Sequence, residues 1–208
     1  MHWQIAIMCN TYVIKPKRRG DNDLAGKIAE VFARLKSPLI RKSDPGIVIR
    51  GDNQVELMRW GFHRSFNPSI NNARSDKLEG GMWKEASRDR RCVIPMTLFY
   101  EWGQGPGGPK QAHEFRDPHD DYLWAAGIWE EHEELGPCFS MVTTAASPLM
   151  ARIHDRMPAL LRSEQIQEFL SGSGHWDFPP FTGRLEFTPC ESPLAKRPDN
   201  GQQQAELF

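Results

Sequence analysis

Apolar residues at Leu24, Ile28, Val31, Phe32 and Leu35 recur at the spacing that lines one face of a helix. The pattern predicts a helix from Leu24 to Leu35, capped by Asn22 or Asp23. A second helix is expected to start at Ser163, with Ile166, Phe169 and Leu170 facing inward, and a short one to cover Met82 to Ser87. Most other apolar positions fall in short runs rich in aromatic and β-branched residues, separated by turn residues. These runs predict strands at Gly46–Arg50, Glu56–Phe62, Cys92–Ile94, Phe99–Trp102, His113–Arg116, Leu123–Trp129, Cys138–Thr144 and Leu185–Thr188. Gly105-Pro106-Gly107-Gly108-Pro109 cannot extend a ladder and reads as a hairpin tip. Many strands with a few helices indicate an α+β class. No repeat is visible, and the polar stretch from Pro198 to Ala205 reads as a tail.

Composition narrows the function classes. The 208 residues suit one domain, and 39% hydrophobic with 25% charged residues is ordinary for a globular protein. No apolar run approaches the ~20 residues of a membrane helix, and Met1 to Met8 lacks the basic start of a signal peptide. The expected location is therefore cytoplasmic, with no membrane partner. Cys9, Cys92, Cys138 and Cys190 lie far apart, so they form neither a disulfide scaffold nor zinc-ligand spacing. No metal or cofactor is expected. The net charge of −1 excludes an indiscriminate polyanion binder. It is nevertheless a sum of unlike parts. Lys15 to Arg50 holds ten basic residues against four acidic, and Arg59 to Cys92 eight against four. Glu114 to Glu134 holds one basic against eight acidic. The acidic segment reads as a solvated face. The basic half leaves room for an anionic partner, because local fields steer polyanions.

Four segments carry candidate chemistry. Met8-Cys9 lies near the start. Trp60-Gly61-Phe62 is followed by Asn72-Ala73-Arg74-Ser75. Arg90-Arg91-Cys92-Val93-Ile94-Pro95 precedes Phe99-Tyr100-Glu101-Trp102. Thr143-Thr144-Ala145 precedes Ile153-His154-Asp155-Arg156-Met157-Pro158. Singly, each has an ordinary reading. Glu101 could be a carboxylate at a strand edge, His154 a structural histidine, Asn72 a turn residue, and Arg74 and Arg156 members of ion pairs. Trp60, Phe62 and Trp102 could be core. In this order, the set resembles the SOS response-associated peptidase (SRAP) family, from Met8 to about Pro189.

The resemblance implies a single α+β domain with an antiparallel, barrel-like sheet and peripheral helices. It implies that Cys9 acts as an N-terminal residue whose amine and thiol together trap the aldehyde of an abasic site in single-stranded DNA. An α-amine with a pKa of about 7.7–8.0 is partly neutral and nucleophilic at neutral pH. It forms a Schiff base, which the thiol closes to a thiazolidine. Glu101 and His154 would move protons, burial suiting Glu101 to this near neutral pH. Asn72 would hold the Cys9 backbone or the substrate. Arg74 and Arg156 would clamp phosphates, and Trp60, Phe62 and Trp102 could stack on bases. The family is also thought to remove residues ahead of the cysteine by itself, and to permit slow reversal of the adduct.

The expected division is a leader or mis-assigned start at 1–8, a domain over 9–197 and a tail over 198–208. The expected state is a monomer. The family's usual Cys-Gly-Arg opening is Cys9-Asn10-Thr11 here, so one phosphate-binding arginine is absent or replaced by Lys15, Lys17, Arg18 or Arg19. Gln204-Ala205-Glu206-Leu207-Phe208 resembles a bacterial sliding-clamp peptide, with Gln204, Leu207 and Phe208 as its anchors, or is an ordinary tail end. Rival functions are a thiol peptidase acting on other proteins through Cys9 and His154, and a non-catalytic DNA-junction binder.

Overall fold

The computed structural model describes residues 10–16, 23–105, 108–172, 175–178, 181 and 183–194. Cys9, the leader, Asn22, Lys17, Arg18, Arg19 and the tail with Gln204, Leu207 and Phe208 lie outside them. In chain order the elements are β1 (Thr11–Val13), α1 (Asp23–Phe32), β2 (Leu39–Arg41), β3 (Pro45–Arg50), β4 (Gln54–Trp60), β5 (Phe62–Arg64), β6 (Asn67–Ile70) and β7 (Asn72–Arg74). Then follow α2 (Lys84–Asp89), β8 (Arg91–Met96), β9 (Leu98–Gln104), β10 (Lys110–Arg116), β11 (Leu123–His132), β12 (Gly136–Ala145), β13 (Arg156–Pro158), β14 (Leu160–Leu161), α3 (Ile166–Ser171) and β15 (Glu186–Cys190).

Strands β12, β4, β3, β8 and β11 pair in that order, and β11 pairs back to β12, which closes a five-stranded barrel. Closure leaves these strands no free edge. Its pairings are antiparallel except β4 with β12, which run parallel. The fold is thus α+β with a mainly antiparallel barrel, as the resemblance implied. A second sheet, ordered β15-β10-β9-β1-β2, is antiparallel throughout. The chain passes from one sheet to the other at Thr97, between β8 and β9. Tyr12 of the second sheet meets Trp60 of the barrel edge-on at 5.0 Å, and Trp60 stacks on Phe139 at 6.1 Å. Gly46 makes this junction possible, because a Cβ there would collide with the Tyr12 hydroxyl.

The expected first helix is present, but it ends at Phe32 rather than Leu35 and includes Asp23. Ile28 and Val31 of α1 are buried, with Leu24, Phe32 and Leu35 packed on the same core. The helix packs against β3 and β4. Among the described residues no helix is long and apolar enough to cross a membrane. The expected strand from Glu56 to Phe62 is interrupted instead. Gly61 takes φ +122°, and Ser69 crowds the place its Cβ would occupy. The Ser69 hydroxyl donates to the Trp60 carbonyl at 3.2 Å, so the ladder stops there and β5 begins a separate hairpin with β6.

Candidate active site

Burial along β9 alternates, with Phe99, Glu101 and Gly103 inward and Tyr100 and Trp102 half-exposed on the other face. Glu101 is 1% exposed. Directly across the ladder stands His113 of β10, also buried. Cross-strand partners share a face, so the two side chains belong to one side of the sheet. The His113 ring packs edge-on against Phe187 at 5.6 Å, and its Nδ1 is buried without a hydrogen-bond partner among the described residues.

Gly103 brings a second element to this face. An added Cβ there would lie 3.1 Å from Ile153 Cγ2 and 3.3 Å from the Ile153 carbonyl oxygen. Only a residue without a side chain lets the Ile153-His154 loop rest on β9 this closely. The His154 backbone is held by its N–H donating to the Met150 carbonyl at 2.9 Å. Its Nδ1 sits 3.1 Å from the Arg156 amide and 3.0 Å from Asp155 Oδ1. A neutral ring protonated on Nε2 accepts from that amide, whereas a ring carrying a proton on Nδ1 donates to Asp155.

Strand β12 assembles the cationic part. β7 runs parallel along one side, with Arg74 opposite Thr143, and β13 antiparallel along the other, with Arg156 opposite Ala145. Two arginines 82 positions apart in sequence thereby flank one strand. Arg156 is 12% exposed, and its Nη2 donates to the Thr143 carbonyl and hydroxyl. Arg74 is 55% exposed and grips Asp76 with two hydrogen bonds, Nε to Oδ1 at 3.0 Å and Nη2 to Oδ2 at 2.8 Å. Asp76 Oδ1 also faces Arg156 Nη1 at 3.7 Å. Hydrogen bonding to Arg74 holds the Asp76 carboxyl below the usual range and raises the Arg74 guanidinium. Burial, and then repulsion from Arg74, lower Arg156.

The circuit closes on the residue after Cys9. Asn71, next to Asn72 in sequence, donates from Nδ2 to Asn10 Oδ1 at 2.8 Å. Its carbonyl accepts from Trp60 Nε1 at 2.8 Å and from the Met141 amide at 2.9 Å. Antiparallel pairing sets Tyr12 opposite Phe99. The chain preceding Tyr12 therefore approaches the end of β9 that carries Glu101.

The structure brings together Glu101, the His154 loop, Arg156, Arg74, and Asn71 with the start of β7 at Asn72, through this chain of contacts. It corrects two residues. Trp60 and Phe62 are 0% exposed and built into the core, so neither offers a face to a base. Phe62 packs on Trp83 at 5.3 Å. Trp102 keeps some exposure, but on the face of β9 away from Glu101, beside Tyr100. Sequence reasoning missed Asn71, His113 and Asp76. For His113 a signal existed, its place two positions before Phe115 on one face of an expected strand. Asn71 and Asp76 are polar neighbours of motif residues and give no signal of their own. Cys92 and Cys138 are fully buried, and burial pushes both thiols up in pKa, so they are packing residues.

The sequence matches the family described as SOS response associated peptidase (SRAP) over residues 12–185. The chain belongs to the SRAP family. It is 28% identical over 131 residues to the Bacillus subtilis protein named abasic site processing protein YoqW, covering 58% of each chain. To abasic site processing protein HMCES of Gallus gallus it is 31% identical over 144 residues, 53% of this chain and 43% of that one. The SRAP chain thus spans less than two thirds of the length of these curated relatives. Its fold resembles a crystal structure of a Bacteroides thetaiotaomicron protein with TM-score 0.71 and 20% identity, covering 88% of this chain and 93% of that one. A Bordetella bronchiseptica structure matches with the same TM-score at 18% identity, covering 88% and 100%. At the SRAP position where an arginine was expected, Thr11 is fully buried, so no cation is presented there.

Proposed function

We propose that this protein processes abasic sites in single-stranded DNA by covalent capture through Cys9. The observation that carries the reading is the Asn10–Asn71 hydrogen bond, together with the direction of β1 along β9. Both tie the residue after Cys9 to the surroundings of Glu101, Asn72 and the arginine pair. In the reaction the Cys9 amine adds to the aldehyde carbon of the ring-opened sugar. Loss of one water gives the Schiff base. The thiol then adds to the same carbon, its proton passing to the nitrogen, and a thiazolidine remains. Glu101 and His154 take and return the protons, and Arg74 and Arg156 hold neighbouring phosphates.

The amine must first be free, so the residues ahead of Cys9 are removed. The Cys9 thiol attacks the Met8 carbonyl, the amide nitrogen leaves as the Cys9 amine, and water hydrolyses the resulting thioester. The name of the SRAP family and the names of the relatives support an enzyme acting on damaged DNA. The peptidase step serves this one bond.

The test mixes protein that begins at Cys9 with an oligonucleotide holding one abasic site, followed by a denaturing gel. A denaturant-resistant adduct is expected. Cys9→Ala and an uncleavable N-terminal extension should both abolish the stable adduct. Absence of adduct with the native protein sinks the proposal, and steady cleavage of an unrelated polypeptide would favour the peptidase reading.

A further inference from the structure

Asp76 lies between two arginines. Arg74 and Arg156 converge on it from opposite sides of β12, one by a two-pronged bond and the other at 3.7 Å. Two guanidiniums brought this close repel each other, and the lowered pKa of Arg156 reflects both its burial and Arg74. An anion between them relieves that cost. Within the protein Asp76 is that anion. Arg156 also has Nε buried with no hydrogen-bond partner among the described residues, so its fork is incompletely used. Arg74 spends its Nε–Nη2 edge on Asp76. Asp155 adds a second carboxylate whose charge reaches both arginines.

We infer that Asp76 is an internal stand-in for a DNA phosphate, which lowers the affinity of the arginine pair for intact strands and leaves retention to the covalent step. A phosphate bound at this pair must either displace the carboxylate or sit beside it against its charge. Intact single strands are thereby released readily, and an abasic strand is held because a bond forms. This inference rests on the proposed role of Arg74 and Arg156 in holding DNA.

The experiment measures non-covalent binding of an undamaged single-stranded oligonucleotide by fluorescence anisotropy over a range of salt. Native protein is compared with Asp76→Asn, Asp76→Glu and Arg74→Ala. Asn keeps the shape and an acceptor for Arg74 but removes the charge, so binding should tighten roughly fivefold, the size of one unit-charge interaction near 4 Å in water. The dependence of log K on log salt should steepen toward one further phosphate, about 0.7 for a single strand. Asp76→Glu should stay near native, and Arg74→Ala should weaken binding. Unchanged or weaker binding by Asp76→Asn, with Arg74→Ala weakened, overturns the stand-in and makes Asp76 a positioning residue for Arg74. Arg74→Ala binding as the native protein does overturns the arginine pair itself, and the Asp76 inference with it.

Discussion

Arg156 is held by three different kinds of contact, a carbonyl, a hydroxyl and a carboxylate, and is nearly buried. Such a side chain cannot swing out to find a ligand, so in the proposed clamp a phosphate would have to come to it. Arg74 is the exposed, movable partner. Glu101 and His154 show the same division: one is fixed in a sheet, the other sits on a loop held at its backbone. Because general acid–base groups contribute on the order of a hundredfold or more, Glu101→Gln and His154→Ala should each slow adduct formation by about that factor. The measurement is a single-turnover time course on the gel, with thermal unfolding run beside it to show that the variants fold. Native rates in both would remove the two residues from the chemistry. At this scale the sequence left exposure unread. Trp60 and Phe62 looked like stacking platforms because aromatic side chains serve cores and bases alike, and only the three-dimensional packing separates the two uses.

At the scale of elements, the site depends on close approaches rather than on regular structure. The Ile153-His154 loop reaches β9 only because position 103 has no side chain. Gly103→Ala should push that loop outward by a few tenths of an ångström. Misplacement on this scale should slow capture markedly with little loss of non-covalent DNA binding, since positioning contributes strongly to rate. Native capture by Gly103→Ala would show that the loop does not need this seat. The longer strands and α1 were legible in the sequence because each presents an apolar face over several residues. β1, β7 and β13 were not, being three residues each and defined by their partners on β9 and β12. These short strands are the ones that set Asn10, Arg74 and Arg156 in place. The ordered motif set named the family, while the register that gathers Glu101, Arg74 and Arg156 is a tertiary property.

The whole molecule is a closed barrel joined to an open sheet, with Trp60 at the joint. Trp60 touches Tyr12 on one side and Phe139 on the other, and its Nε1 donates to the Asn71 carbonyl. Trp60→Ala should therefore destabilise the fold by about 3–5 kcal/mol, read from denaturant unfolding. A loss below 1 kcal/mol would contradict a core role. The near-zero net charge also takes on meaning at this scale. On the proposed function, a protein whose cations are partly neutralised by its own carboxylates would hold DNA by reaction more than by attraction. The most direct measurement is the intact mass of the species formed with an abasic oligonucleotide. The expected mass is that of the chain beginning at Cys9 plus the oligonucleotide, less one water. A product that retains residues 1–8, or no covalent species at all, would contradict it.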